Sequence, residues 1–299
     1  MMQRQLLFDN IKINQDSNLN RTVNVASVPQ RSPFRYPGGK TWFIPTVRKW
    51  LRNKDKKPAL FIEPFAGGGI VSLTVAFEDL ADTVLMVEID EQVAAVWQTI
   101  INGESQWLAK KILSFDLNKE SLAAELGKEY SDCKHVAFQT ILRNRTFHGG
   151  ILAEGSGVVK FGENGKGLLS RWYPGTLAKR LENIDLILKK IKFIRTDGFN
   201  IIKKYALCEN KAFFIDPPYT AGGKCAGARL YKYSDLNHEA LFELCRTIKG
   251  DFVMTYDNAV EVIALANRFK FDVRPIAMKN THHTEMTELV IGKDLSWMD

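Results

Sequence analysis

The chain has 299 residues, a formal charge of +7 and 45% hydrophobic side chains. That is enough to bury a full core and to hold one α/β domain with a smaller inserted one. No apolar stretch approaches the roughly 20 residues of a membrane span and the N-terminus shows no secretory h-region, so a cytoplasmic location without membrane contact is expected. The positive charge suits a polyanionic partner without requiring one. Cys133, Cys208, Cys225 and Cys245 lack Cys-x-x-Cys spacing, and the five histidines show no His-Glu-x-x-His pattern. Neither a disulfide framework nor a metal site is therefore expected.

Residues 1–31 are rich in Asn and Gln and read as a flexible or loosely docked extension, to which no role is assigned. Its Leu6, Leu7, Phe8 and Ile11 could instead pair as an edge strand. Next comes Phe34-Arg35-Tyr36-Pro37-Gly38-Gly39-Lys40, followed by the helical pattern Trp42, Phe43, Val47, Trp50, Leu51. Lys40-Thr41 superficially matches a phosphate-loop ending, but the earlier glycine that a Walker A needs is missing at Phe34-Arg35.

The short apolar run Ala59-Leu60-Phe61-Ile62 leads into Glu63-Pro64-Phe65-Ala66-Gly67-Gly68-Gly69 and then a helical pattern from Ile70 to Leu80. Strand, glycine turn and helix form a nucleotide-binding βα unit, in which glycines admit a ligand to the backbone. A second strand, Thr83 to Val87, is closed by Glu88. An acid at that strand tip, roughly 20 residues past the glycines, suits ribose hydroxyls and hence an adenosine-containing cofactor. The third glycine of a dinucleotide fingerprint is replaced by Ser72, which disfavours NAD, whereas acidic-x-Phe-x-Gly-x-Gly over Glu63 to Gly69 is the form methyltransferases use.

About a hundred residues with helical periodicity follow. A helix from Cys133 to Arg143 runs into Asn144-Arg145-Thr146-Phe147-His148-Gly149-Gly150-Ile151, which suits a hairpin able to enter a groove or wedge between bases. Taken in isolation, a solvated loop is the plainer reading. Lys160, Lys166, Arg171, Trp172 and Tyr173 form a basic stretch interleaved with aromatics, before a helix from Thr176 to Lys190. The segment Ile194-Arg195-Thr196-Asp197-Gly198-Phe199 reads as another strand end.

The run Ala212-Phe213-Phe214-Ile215 reads as a buried strand broken by Asp216-Pro217-Pro218-Tyr219. Two prolines cannot continue a sheet ladder, and they leave the Asp216 and Pro217 carbonyls as a rigid cluster of acceptors. Such a cluster suits an amino group with two donor hydrogens, and the tyrosine ring suits stacking on a flat heterocycle. By itself the tetrapeptide could equally be an ordinary turn. Beyond it, residues 220–233 are too glycine-rich to be regular and suit a lid, with Lys224, Arg229, Tyr231, Lys232 and Tyr233 able to reach substrate. Helices from Asp235 to Thr247 and Ala259 to Arg268, and strands Phe252 to Thr255, Phe271 to Ile276 and Glu288 to Ile291, complete the chain.

These motifs, in this order, resemble the Dam-type DNA adenine-N6 methyltransferases, from about Pro33 to Gly292. The resemblance implies a Rossmann-like S-adenosylmethionine-dependent methyltransferase fold of the α/β class, with a catalytic domain over 32–103 and 191–299 and an inserted, mainly helical recognition domain over 104–190. It implies methyl transfer from S-adenosyl-L-methionine to an adenine amino group in double-stranded DNA, by base flipping and direct in-line transfer. Asp216, Pro217, Pro218 and Tyr219 would serve the transfer. Tyr36, Lys40, Glu63, Phe65, Gly67, Gly69, Glu88, Asp197 and Phe199 would hold the cofactor, with Lys40 near its carboxylate end. Arg143, Asn144, Arg145, Phe147, His148, Lys166, Arg171 and Lys232 would bind DNA. A monomer and a restriction endonuclease partner are expected. The family's tyrosine and asparagine are replaced by His148 and Gly149, so no target sequence is implied. RNA or a protein amide as substrate, or a silent DNA-binding protein, are the competing readings.

Overall fold

Seven strands form one sheet in the order β3-β2-β1-β4-β5-β7-β6. They are β1 Leu60–Glu63, β2 Thr83–Glu88, β3 Ile191–Arg195, β4 Lys211–Ile215, β5 Asp251–Asp257, β6 Asp272–Lys279 and β7 Glu285–Gly292. The first five run parallel, and β7 enters antiparallel between β5 and β6. This is the Rossmann-like arrangement expected from the sequence. The computed structural model describes residues 27–36, 38–153, 155–162, 165–218, 236–279 and 285–299.

The central strands are apolar on consecutive residues because helices cover both faces. Phe61, Met86 and Phe214 face one core cluster, while their neighbours Ile62, Leu85, Val87, Phe213 and Ile215 face the other. The first face is covered by α1 Ile44–Arg52, α2 Ile70–Phe77 and α3 Glu91–Thr99. The second is covered by α8 Gly198–Tyr205, α9 His238–Arg246 and α10 Val260–Phe269.

Between α3 and β3 lie α4 Ser105–Ser114, α5 Lys119–Leu126, α6 Cys133–Thr146 and α7 Pro174–Asp185. Their Leu108, Ile112, Leu122, Phe138, Leu177 and Leu181 are buried in the same cluster as Trp97, Ile100 and Phe34. The inserted segment thus extends the first core. The predicted helix to Lys190 ends as an α-helix at Asp185, with a 3-10 turn over Leu188–Lys190. The end of the N-terminal extension docks on the domain: Val28 is buried, and Arg31 lies 3.1 Å from Glu78 and 4.4 Å over the Phe77 ring. Among the described residues no helix is long and apolar enough to cross a membrane, and no group of three metal-ligating side chains is present.

Candidate active site and recognition segment

Chain order reverses between β1 and β4, since β2 and β3 build outward on one side and β5 on the other. Open α/β sheets bind ligands in the crevice that such a reversal leaves at the carboxyl ends of the strands. Here that rim carries acids. Glu63 ends β1, Glu88 ends β2, Asp197 follows β3 and Asp216 follows β4.

The Glu63 carboxylate accepts from Ser72 N at 2.9 Å and so caps the first turn of α2 from inside. Burial, with repulsion from Asp216 and Glu88, pushes its carboxyl up to about 8 against that hydrogen bond. Glu88 accepts from Gly67 N at 2.9 Å through one oxygen, and from Ile89 N and Asp90 N at 2.8 and 2.9 Å through the other. Burial raises it to about 7, opposed by these amides. The oxygen that accepts from Gly67 N has a second acceptor position, so Glu88 can hold the loop and still take a hydroxyl.

The glycines also meet a requirement within the chain itself. A side chain at Gly67 would come within 2.5 Å of the Tyr36 ring and one at Gly68 within 2.7 Å of Tyr36 Cβ, while Gly69 is approached by Met86 and Trp97. Gly67 and Gly69 also have φ of +47° and +63°. Tyr36 therefore lies against the glycine loop, and Trp97 Nε1 donates to Gly67 O at 2.9 Å. Asp197 caps α8 by accepting from Phe199 N at 2.9 Å, and Phe199 is half-buried against the second core. Gly198 passes so close to Pro64 O and the Phe65 ring that a Cβ would sit 2.6 and 3.0 Å from them.

Across the crevice, Asp216 accepts from Thr255 Oγ1 on β5 at 2.7 Å and lies 3.0 Å from Lys40 Nζ. Lys40 is only 3% exposed; its Nζ also donates to Gly38 O at 3.1 Å and lies 3.4 Å from Glu288 Oε2 on β7. The first motif thereby reaches the strand end that carries Asp216. The predicted place for Lys40 was the carboxylate end of the cofactor, whereas here its charge lies between two acids. Burial pushes the Glu288 carboxyl up to about 7, although Lys40 pulls the other way. Thr255 and Glu288 were missed from the sequence; an acid within the apolar run Glu288 to Ile291 is the signal that could have found the second. Pro217 is buried and Pro218 half-buried. Tyr219 and Lys232 lie outside the described residues, as do Cys225 and the rest of the predicted lid.

The recognition segment differs more from expectation. Helix α6 continues past Arg143 to Thr146, so Asn144 and Arg145 are helical and buried. Asn144 accepts from Arg35 N at 2.8 Å and donates to Arg35 O and Gly150 O at 2.8 and 2.9 Å. Arg145 donates to Pro33 O, and Arg180 to Ser32 O at 2.9 Å. Burial, with repulsion from Arg180 and Arg35, lowers the Arg145 guanidinium to about 9, which leaves it charged at neutral pH. The two residues expected to meet DNA instead anchor the first motif. Trp172 is likewise core, packed edge-on to Phe115 at 6.3 Å.

What projects is the turn after α6. His148 N donates to Gly157 O at 3.0 Å and Val159 N to Thr146 O at 2.8 Å, with Phe147 bridged to Val158. His148 and Lys166 are exposed, Arg143, Phe147 and Arg171 half-buried. Phe161, which the sequence reading passed over, is 82% exposed, and Leu169 and Tyr173 are also exposed. An apolar and aromatic surface beside lysines suits bases and phosphates.

A family model described as D12 class N6 adenine-specific DNA methyltransferase matches residues 36–145, from Tyr36 through the glycine loop to the end of α6. The Type II methyltransferase M.MjaIII of Methanocaldococcus jannaschii is 25% identical over 257 residues, covering 80% of this chain and 85% of that protein. Among solved structures, the rRNA methyltransferase AviRa of Streptomyces viridochromogenes aligns with a TM-score of 0.40 and 12% identity over 94% of both chains. A precorrin-6y C5,15-methyltransferase of Geobacter metallireducens aligns at 0.35 and 9% over 93% of this chain and 94% of its own. The two structural likenesses are too weak to carry an argument, and the strand order defines the fold. The family match and the distant relative together support a methyltransferase that acts on DNA.

Proposed function

We propose that this protein transfers a methyl group from S-adenosyl-L-methionine to the exocyclic amino group of adenine within a specific DNA sequence. The observation that carries this reading is Asp216 just past the end of β4, across the β1/β4 crevice from the glycine loop that follows β1, and held there by Thr255 and Lys40.

The rim fits a cationic adenosine cofactor by its chemistry. Buried, partly protonated acids at Glu63 and Glu88 are groups that a positive charge would ionise. Tyr36, Glu63, Phe65, Gly67, Gly69, Glu88, Asp197 and Phe199 would hold it, Lys40 serving through Asp216. The bound sulfonium supplies a methyl group that is already activated for transfer.

The protein's own task is positioning. A flipped adenine costs a few kcal/mol to extrude; its amino hydrogens would be accepted by the Asp216 carboxylate and the Pro217 carbonyl, directing the nitrogen lone pair towards the crevice. Lys40 and Thr255 fix the carboxylate before the base arrives. Tyr219 would supply a stacking face. His148, Phe147, Lys166, Arg171 and Lys232 would engage duplex DNA, and a nuclease reading the same sequence is the natural companion of such an activity.

The test is methyl transfer from labelled S-adenosylmethionine to DNA, RNA and protein in parallel, with the product identified by digestion and mass spectrometry. N6-methyladenine from DNA is expected; label in RNA or protein alone would replace the substrate. Calorimetry should show S-adenosylmethionine binding without DNA, weakened roughly tenfold by Glu88→Ala through lost hydrogen bonds. Unchanged affinity would remove Glu88 from the cofactor site.

A further inference from the structure

Glu288 is an acid at a place where the fold alone would be served better without one. It precedes Leu289, Val290 and Ile291 on β7, all of them buried, and is itself only 8% exposed. Across the ladders it stands opposite Asp257 on β5 and Ile276 on β6. Burial raises its carboxyl to about 7, opposed by Lys40 and aided by repulsion from Asp216 and Asp257. A carboxyl raised by folding lowers stability once it ionises. Acids held at such a cost cluster at functional sites.

What this acid touches gives it a use. Its Oε2 is shielded from solvent, has no hydrogen-bond partner and lies 3.4 Å from Lys40 Nζ. That distance exceeds the roughly 2.7–3.2 Å of an N–H···O bond, so Glu288 meets Lys40 as a charge. The same Nζ lies 3.0 Å from Asp216 Oδ1, the oxygen that also accepts from Thr255 Oγ1 at 2.7 Å. Lys40 is 3% exposed, so little water screens these charges from one another. An amine that attacks a methyl group gains positive charge on its nitrogen, and Asp216 stabilises that charge better the less of its own is neutralised by Lys40. Two acids thus compete for one cation.

We infer that Glu288 is a positioning residue for methyl transfer, acting on Asp216 through Lys40. Ionised, it shares the lysine's charge and leaves Asp216 the stronger acceptor for the adenine amine. Protonated, it leaves the whole charge to Asp216 and slows the transfer. Thr255 is uncharged, so its hold on Asp216 does not change with pH over this range. The inference rests on the proposed methylation of adenine.

The test is the single-turnover rate of N6-methyladenine formation by the full chain, preloaded with saturating S-adenosylmethionine, from about pH 5.5 to about pH 8.5. A bound sulfonium favours ionised Glu63 and Glu88, which takes those two acids out of the profile. The wild-type rate should rise roughly tenfold through about pH 7 and then level off. Glu288→Gln, which resembles the protonated acid, should stay at the low plateau throughout, with unchanged affinity for S-adenosylmethionine and for DNA. Glu288→Asp keeps the charge and should keep a rise with pH. A purely structural Glu288 would instead make Glu288→Gln less stable and slower by one factor at every pH, with the rise intact. That parallel shift would overturn the inference, as would a flat wild-type profile or a flat Glu288→Asp profile. Should Glu288→Gln fail to fold, the wild-type and Glu288→Asp profiles decide. Failure of the proposed function would look different, because the wild-type protein would form no N6-methyladenine at any pH.

Discussion

The carboxyl edge of the sheet and the end of α6 both carry charged residues, yet they use them in opposite ways. At the sheet edge Glu63, Glu88 and Asp216 sit where strands stop, and the topology turns all of them towards one crevice whatever else each holds. At the end of α6, Asn144 and Arg145 are consumed by the backbone of residues 33–35, while His148 just past the helix and Lys166 farther along the segment face solvent. A strand end fixes the direction of a side chain strongly. On a helix one more residue swings a side chain by about 100°, so the last turn can put a cation inside or outside.

The largest loss of stability should come from Asn144→Ala. It removes three hydrogen bonds, one buried and two partly buried, and leaves Arg35 N, Arg35 O and Gly150 O without that partner. At about 1–3 kcal/mol for an unsatisfied group, a loss of roughly 3 kcal/mol or more is expected by chemical denaturation. Lys166→Ala should stay within about 0.5 kcal/mol. Equal effects would erase the distinction between anchoring and projecting residues.

A pH-dependent gain of comparable size should follow from Glu63→Gln. The folded carboxyl titrates near 8 and the free one near 4.5, so the unfolded chain releases this proton first as pH rises, and wild-type stability falls through that window. The substitution should be neutral below about pH 4.5 and stabilising by on the order of 5 kcal/mol above pH 8. Thermal melts across that range would show it, and a pH-independent difference would place the Glu63 carboxyl in water.

The smallest effect separates the two roles in DNA binding. Lys166→Ala should make the salt dependence of DNA affinity shallower by about one unit of slope. Arg145→Met should leave that slope unchanged while lowering stability. A slope change for Arg145 would bring it back to the phosphates.

The strands β1, β2 and β4 were legible because parallel strands covered on both faces read as short apolar runs, each ended by an acid, and for Glu63 and Asp216 a proline follows directly. The burial of Arg145 was legible too, though only with the right period: Ala137 and Ile141 are buried, and Arg145 is the next residue on their i, i+4 stripe. Placing the helix end at Arg143 hid this. The pairing of Lys40 with Asp216 and Glu288 was not legible. It depends on β7 entering antiparallel beside β5, which joins residues nearly 250 positions apart and has no local signal. The demand for glycine at Gly67 to Gly69 was legible, but that Tyr36, Met86 and Trp97 press on the loop was not.

The central claim is that the crevice between β1 and β4 transfers a methyl group because Asp216 orients an adenine amine there. It is tested most directly by comparing wild-type and Asp216→Ala protein for N6-methyladenine formation in DNA, with S-adenosylmethionine binding and circular dichroism measured on the same samples. The account predicts a fall in transfer of roughly a thousandfold, with cofactor affinity and the folded state retained. Folded Asp216→Ala protein that methylates adenine at close to the wild-type rate would contradict it.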